Sequence, residues 1–464
     1  MSSDHIGAAR LVSLALLMAV LCNGASVYLK RTGLVDAEAY RAYWAIHCTP
    51  VDPAKANAVA EPRCCARATP EEVALRDSDA HVEIERASLR YVFESKGPEL
   101  VLKLVKDLFG LALIAYSAFL VGKRRAPAPA MREAFPVVLL LGYALVAFLV
   151  SLPLNGPLVA VAGLRAFMFV MIALLAQWLA PRLGDIARCL GALLVVQALL
   201  IPFELFRGIH PQGEWSSFHL ASRVSGTLVL PNSLGIFAVT ALAFFYSFST
   251  AKSWLALLSV AALAAIFFSG SATGIICFGL LLFIMLDRRT RDDRRAQLAI
   301  GAVLAGVVSV VILLALSGRE DLFDWQFGPR GRVAALIAVL SERGLMEVLF
   351  GSGLGTGKDV ALQLQSQVSP EALEAAELVA AQFTDSTITG LMTEIGLLGA
   401  AMFYATLVWA GLRDASARPF YWVVAMCSLT VNITLLFPVN FLLGFAWAHS
   451  MGLAPRMRPV DRHD

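Results

Sequence analysis

The sequence predicts an all-α membrane protein with about 12 transmembrane helices and a large extracytoplasmic loop between the ninth and tenth. Hydrophobic residues make up 58% of the 464 positions, only 16% are charged, and the mean hydropathy is +0.70. Soluble domains carry about a quarter charged residues. Many segments also exceed the roughly 18 apolar residues that a spanning helix needs. A soluble core could not bury that much apolar surface, so the chain is expected to lie in lipid.

Hydropathy divides the chain into apolar segments that alternate with polar loops. The predicted spans are residues 8–29, 98–122, 134–152, 157–180, 185–206, 228–249, 253–269, 271–286, 296–317, 386–411, 419–436 and 438–454. The first span has no clear cleavage site and is predicted to be a signal anchor. The predicted parts of the chain are an anchor helix 1–29, a loop 30–97, spans two to nine in 98–317, a large loop 318–385, and the last three spans with a tail in 386–464.

Clusters of arginine and lysine predict the orientation, because short cytoplasmic loops are enriched in these residues. The clusters that share one side of the spans are 123–125, Arg182 with Arg188, 287–295, and Arg413 with Arg418. We therefore expect an inner-membrane protein with both termini in the cytoplasm and with loops 30–97, 207–227 and 318–385 outside. Nucleotide sugars are absent from that side of the membrane. The basic residues lie in short clusters beside the spans, which indicates membrane orientation rather than a nucleic-acid site.

Candidate anion-binding residues lie near the outer ends of predicted spans. Arg223 precedes a span that contains Asn232 in a Pro-Asn pair, and a broken helix of this kind is tolerated where backbone lines a cavity. Arg330 and Arg332 lie at the start of a helix predicted over 332–349 at the membrane interface. Guanidinium groups bind diphosphate through paired hydrogen bonds. Snorkelling by Arg223 and headgroup binding by Arg330 and Arg332 are the simpler alternatives.

Acidic residues and a glycine-rich segment extend this candidate site. Asp385 opens the tenth span and is either a helix N-cap or a general base that takes a proton from an attacking hydroxyl. Glu394 lies about two turns deeper, where a carboxylate by default faces a cavity or a partner. Residues 351–358 look like a phosphate loop but lack the Walker spacing. Gly353 and Gly355 are therefore predicted only as parts of a turn whose amides cup an anion.

Further ionisable residues lie within the predicted spans. Arg165 is a candidate substrate-binding residue, and Lys103 lies near the start of the second span. One interpretation of Lys106 and Asp107 is that they neutralise each other. No metal and no cofactor is expected, because the cysteines and histidines show no convergent ligand spacing.

The order of three segments resembles the O-antigen ligase and O-antigen polymerase superfamily of bacterial envelope polysaccharide assembly. Residues 223–227 (RVSGT) with the following Pro-Asn resemble its R-x-S-G-T…P-N motif. Residues 350–356 (FGSGLGT) resemble its G-x-G-x-G-T segment, and 385–399 resemble the next helix, which ends in E-x-G-L-x-G. Together these segments cover about residues 220–412.

The resemblance implies about twelve spans and the transfer of a glycan from undecaprenyl diphosphate to a hydroxyl, without metal or nucleotide. Arg223 with Arg330 or Arg332 would hold the departing diphosphate. Ligases of the family carry a histidine where this chain has Asp385, which favours a repeat-unit polymerase. The implied partners are the lipid-linked glycan, membrane lipid, a flippase and a chain-length regulator.

Two alternatives stay open on the sequence alone. The first is a ligase of the same family, which transfers lipid-linked polysaccharide to lipid A core or to another acceptor. The second is a transporter that uses Glu394, Arg165 and Lys106 along a pathway. Transporters often show repeated halves with paired broken helices, and the sequence shows no such repeat.

Overall fold

All the secondary structure in the described part of the chain is helical, with no strand. The structure, a computed structural model, describes residues 3–31, 97–123, 131–207, 224, 226–228, 231–290, 332–341, 343–356 and 386–452. Its α-helices are α1 (Ser3–Arg31), α2 (Gly97–Gly122), α3 (Met131–Asn155), α4 (Pro157–Arg165), α5 (Met168–Leu175), α6 (Leu183–Arg207), α7 (Pro231–Phe248), α8 (Leu255–Ser269), α9 (Ala272–Thr290), α10 (Arg332–Ser341), α11 (Leu345–Phe350), α12 (Thr387–Arg413), α13 (Arg418–Ser428) and α14 (Val439–Gly452).

Several of these helices are long and apolar enough to cross a membrane. Five qualify on length and composition, namely Gly7–Leu29, Gly97–Gly122, Arg132–Asn155, Leu183–Glu204 and Thr387–Arg413. The bent pair α4 and α5 adds a sixth if it counts as one span. The apolar helices α7, α8 and α9 are shorter. The all-α prediction is confirmed for the described residues, and these helices are those of a membrane protein. The predicted span 296–317 lies outside the described residues.

Burial separates central helices from peripheral ones. Residues 233–245 of α7 and 437–448 around α14 are buried on every side, which is the pattern of helices at the centre of a bundle. In contrast, only 22% of the most apolar window of α2, and of α3, is buried. These two helices are therefore peripheral, and their exposed leucine, valine and phenylalanine side chains face lipid.

The predicted span 157–180 is broken rather than straight. α4 and α5 meet at a 50° bend around Ala166 and Phe167. The amides of these two residues donate to the carbonyls of Gly163 and Leu164 at 3.0 and 2.9 Å. This tighter pattern keeps the backbone hydrogen-bonded at the bend, as an apolar environment requires.

The predicted span 419–436 is helical only as far as Ser428, and turns follow it up to α14. In these turns the Thr434 hydroxyl donates to the Asn432 side-chain oxygen at 2.7 Å, and Nδ2 of the Asn440 side chain donates to the Thr434 carbonyl at 3.1 Å. Polar side chains thus supply hydrogen bonds that a helix would have made through its backbone. Hydropathy predicted a span here because it reads apolar composition and not backbone conformation.

The predicted interface helix 332–349 is two helices, α10 and α11, rather than one. Val333, Ile337 and Leu340 are exposed, as a helix lying at the membrane interface requires. Leu336 points the other way and packs against the core. The amphipathic character was predictable from the spacing of these residues, whereas the break was not.

Candidate functional site

The residues predicted for the site fall into two groups. Those that lie outside the described residues, or whose side chain does, are Arg223, Arg330, Arg332 and Asp385. Those whose placement is described are Asn232, Gly353, Gly355, Arg165 and Glu394. The geometry of the site is therefore given by the segments that adjoin the first group and by the second group itself.

A break in α12 organises one half of the site. Gly396 has φ 68° and ψ −176°, a backbone conformation that is essentially restricted to glycine. The break removes the amides that would have bonded to the carbonyls one turn earlier. Those carbonyls accept hydrogen bonds from distant segments instead: Thr393 O from Ser352 N at 2.8 Å, Glu394 O from Gly353 N at 3.1 Å, and Ile395 O from the Tyr143 hydroxyl at 3.1 Å. The kink in α12 is thus a docking point for residues 351–356.

The same loop, residues 351–356, is also held by the end of α3. The Ser151 hydroxyl accepts the amide of Leu354 at 2.6 Å, and the Asn155 side chain donates to the Ser352 carbonyl at 3.2 Å. Three successive amides of the loop, from Ser352 to Leu354, therefore donate to acceptors within the protein. An anion at this loop would have to bind through other groups.

Glycines allow the loop to lie directly against α4. Gly355 has φ 87°, and a Cβ atom there would overlap the Val159 carbonyl. A Cβ atom on Gly163 would likewise overlap the backbone of Leu354. Gly353, with φ 104°, leaves space for the side chains that hold the loop. Packing explains both predicted glycines, and their binding of an anion stays a prediction.

Arg343, between α10 and α11, ties this loop to α12. Its Nη1 atom donates to the Ser352 hydroxyl at 2.8 Å and to the Thr393 carbonyl at 3.4 Å. Burial lowers the pKa of Arg343, and nearby Glu347 opposes that effect, but a guanidinium remains charged at neutral pH. Sequence reasoning missed this residue because it belongs to no motif, and its partners are distant in sequence.

Glu394 is 4% exposed, so its carboxylate does not face lipid. This agrees with the expectation that a carboxylate in a span faces a cavity or a partner. The backbone carbonyl of Glu394 accepts the amide of Gly353, which fixes this residue beside the loop 351–356. The two predicted residues therefore meet through the backbone.

The segment that follows Arg223 is anchored at two points. The Val224 amide donates to the Phe268 carbonyl at 3.0 Å, at the end of α8. Gln197 of α6 holds Thr227 with two hydrogen bonds, accepting its amide at 2.9 Å and donating to its hydroxyl at 2.5 Å. Arg223 therefore adjoins a position fixed beside the turn between α8 and α9.

That turn is packed against α7 and linked to the turns before α14. Gly270 has φ 60°, and the Ser271 hydroxyl accepts the amide of Gly274 at 3.1 Å. Gly235 of α7 lies so close to Ser271 that a Cβ atom there would overlap it. In the first turn of α9, the Thr273 hydroxyl donates to the hydroxyl of Thr430 at 2.8 Å. The start of α9 is thus tied to the residues after α13.

The start of α12 meets the same turns. The Thr387 hydroxyl donates to the Val431 carbonyl at 2.8 Å and accepts the Ile433 amide at 2.9 Å. Combined with the Thr273–Thr430 contact, these bonds connect the beginnings of α9 and α12. The segments beside Arg223 and Asp385 are therefore joined by a short chain of contacts.

The N-cap of α12 is Ser386, not Asp385. The Ser386 hydroxyl accepts the amide of Thr389 at 3.2 Å, which is the usual capping hydrogen bond. The capping alternative for Asp385 is therefore wrong, because the position is already filled. Asp385 comes one residue earlier, immediately before this capped end.

The remaining described candidates occupy other places. Asn232 follows Pro231 at the start of α7, where proline is favoured as the first helical residue. Arg165 ends α4, and its Nη1 atom lies 3.2 Å from Asp107 Oδ2. The carboxylate of Asp107 therefore forms its ion pair with Arg165, while its charge also attracts Lys106.

Comparison with known proteins found no matching family model, no matching curated protein and no matching solved structure. The assignment of function consequently depends on the residues and their arrangement.

Proposed function

We propose that the protein is a metal-independent membrane glycosyltransferase that joins oligosaccharide repeat units carried on undecaprenyl diphosphate. In this proposal the chain crosses the bacterial inner membrane about twelve times with both termini in the cytoplasm. The loop 30–97 and the large loop 318–385 then lie outside, where a lipid diphosphate is an available activated donor and nucleotide sugars are absent.

One observation supports this function most strongly: a chain of hydrogen bonds joins the segments that begin at Val224, Thr273 and Thr387. Arg223 immediately precedes the first of these segments, and Asp385 lies just before the last. A cation for the leaving group and a base for the attacking hydroxyl are the two groups that such a transfer needs. The resemblance of these segments to the O-antigen polymerase and ligase superfamily supports the same assignment.

In the proposed reaction a hydroxyl of one lipid-linked unit attacks the anomeric carbon of the other. Asp385 accepts the hydroxyl proton as the new glycosidic bond forms. The bond between that carbon and the diphosphate oxygen breaks, and undecaprenyl diphosphate leaves with both bonding electrons. Arg223 with Arg330 or Arg332 stabilises the negative charge that develops on it.

The packing of α10 supports the proposed role of Arg332. Arg332 is the first residue of this helix, and Leu336 one turn later packs against the core. The Arg343 hydrogen bonds to Ser352 and Thr393, just after the last residue of α10, hold that end of the helix against α12. The start of α10 is therefore restrained relative to the helix that Asp385 precedes.

The decisive test supplies purified protein in lipid vesicles with an undecaprenyl-diphosphate-linked oligosaccharide and measures chain length and released lipid diphosphate. A polymerase elongates this substrate when it is the only one present. A ligase releases no lipid diphosphate until lipid A core or another acceptor is added. A transporter moves the substrate across the vesicle without breaking any bond.

In this assay, Arg223→Ala is expected to lower the transfer rate by about 10²- to 10³-fold, the loss typical of removing one group that stabilises developing charge. Arg188→Ala is the matched control, because Arg188 is an exposed arginine paired with Asp185 on α6. It should retain the rate of the unaltered protein. Equal rates for Arg223→Ala and the control would refute the diphosphate role.

A further inference from the structure

A cluster of five charged side chains lies on α2 and α4, and Arg165 is its one member that the sequence also predicted for the candidate site. Its members are Glu99, Lys103, Lys106, Asp107 and Arg165. Two ion pairs form within it: Lys103 Nζ lies 2.9 Å from Glu99 Oε1, and Arg165 Nη1 lies 3.2 Å from Asp107 Oδ2. Among the described residues of the cluster, three cations face two anions, and neither ion pair includes Lys106.

Lys106 is half-buried, and across the described ranges its ammonium has no ion-pair or hydrogen-bond partner. Arg165 and Lys103 both lie near enough to repel it, while Asp107 attracts it but is already paired. A cation partly removed from water is costly unless an anion meets it. The arrangement therefore lacks one negative group.

The depth of Lys106 selects the kind of anion. α2 has 26 residues and is about 39 Å long at 1.5 Å per residue, whereas the hydrocarbon layer is about 30 Å thick. Lys106 lies about 14 Å from the start of this helix. A lysine stem at this depth is long enough to extend back towards the headgroup level. The phosphate of a lipid is an anion that is held at the headgroup level by its own acyl or prenyl chains.

The cluster is exposed at Arg165, and aromatic side chains border it further along α2. The Arg165 side chain is 47% exposed. One turn further along α2 than Lys106, Gly110 lies so close to the ring of Phe441 that a Cβ atom there would meet it at 2.8 Å. Phe109 stacks on the same ring with centroids 5.5 Å apart. This aromatic contact separates the charges from the far end of the bundle, which fits a binding site better than a transport path.

We infer that Lys106, with Arg165 and Lys103, binds the phosphate of a membrane lipid at the end of the bundle that carries residues 351–356. Gly163, two residues before Arg165, lies directly against that loop. The bound lipid therefore lies next to the candidate site. The arginine offers paired donors and the lysines offer point charges to the phosphate oxygens. Either an anionic phospholipid or a polyprenyl diphosphate supplies this chemistry.

Native mass spectrometry of the purified full-length protein in detergent tests this inference. The probes are phosphatidylglycerol, undecaprenyl diphosphate and the phosphate-free lipid dioleoylglycerol. We expect Lys106→Gln to weaken binding of at least one phosphate lipid by about 10- to 100-fold, the range for a charge-assisted hydrogen bond. Lys123→Gln is the control, because Lys123 is an exposed lysine at the other end of the same helix. The preferred phosphate lipid identifies the source of the phosphate.

Three outcomes would overturn the inference. One is equal affinity of Lys106→Gln and Lys123→Gln for both phosphate lipids, and another is binding of dioleoylglycerol as tight as theirs. The third is a lower melting temperature for Lys106→Gln in lipid-free detergent, since that would show the ammonium to be paired within the protein. The readout is binding and stability alone, so a negative result in the glycan-transfer assay leaves it unaffected.

Discussion

Asp385→Asn is expected to lower the rate of glycan transfer by about 10²- to 10⁴-fold, the usual contribution of a general base. Thermal stability should be unchanged, because Ser386 rather than Asp385 caps α12. Asparagine keeps the size and polarity of the side chain but cannot accept the proton. The measurement is the rate of lipid diphosphate release, with the melting temperature taken on the same preparation.

Ser386→Ala is the matched control, one residue away. It removes the hydroxyl that accepts the Thr389 amide and should cost about 1 kcal/mol of stability. Transfer should continue at a rate within a few-fold of the original. If Asp385→Asn works at the original rate, Asp385 is not the base and the proposed mechanism loses its proton acceptor.

Gly396→Ala is expected to destabilise the protein more than any other single methyl group added to α12. Its φ of 68° disfavours any side chain, and a Cβ atom would overlap the Leu349 carbonyl and the Gly351 amide. Strain and overlap each cost about 1–3 kcal/mol. The measurement is the fraction of protein that stays monodisperse on size-exclusion chromatography after heating.

Gly411→Ala supplies the comparison within the same helix. The nearest atom to a Cβ at Gly411 is 3.5 Å away on the Tyr421 side chain, an ordinary contact. This variant should unfold within a few degrees of the unaltered protein. If Gly396→Ala matches it, the break in α12 does not hold residues 351–356, and the docking described for that loop is wrong.

The long helices were predictable because the thickness of the bilayer sets the length of the apolar segment that must cross it, and a hydropathy profile detects such segments. The predicted span 98–122 is the helix Gly97–Gly122, and the short turn between the seventh and eighth spans falls at Gly270. Turn chemistry helped there, because glycine is favoured at the left-handed end of a helix. Hydropathy failed after Ser428, since it cannot distinguish apolar turns inside a bundle from a helix in lipid.

The site was less predictable because its contacts join residues far apart in sequence. Gly396 looked like part of a motif, yet its role depends on Leu349 and Gly351. The pairing of Asp107 with Arg165 spans 58 positions, whereas local spacing suggested Lys106. Motif resemblance located the segments, and only their packing shows which glycines make room for backbone.

The bend between α4 and α5 has an electrostatic consequence for Arg165. Although the Gly163 and Leu164 carbonyls accept amides at the bend, the aligned peptide dipoles of α4 still place partial negative charge at its end. Arg165 is the final residue of α4, so its guanidinium lies at this end as well as beside Asp107. A helix continuing straight through this position would have offered no such terminus. The bend therefore makes an arginine tolerable in the middle of a hydrophobic segment.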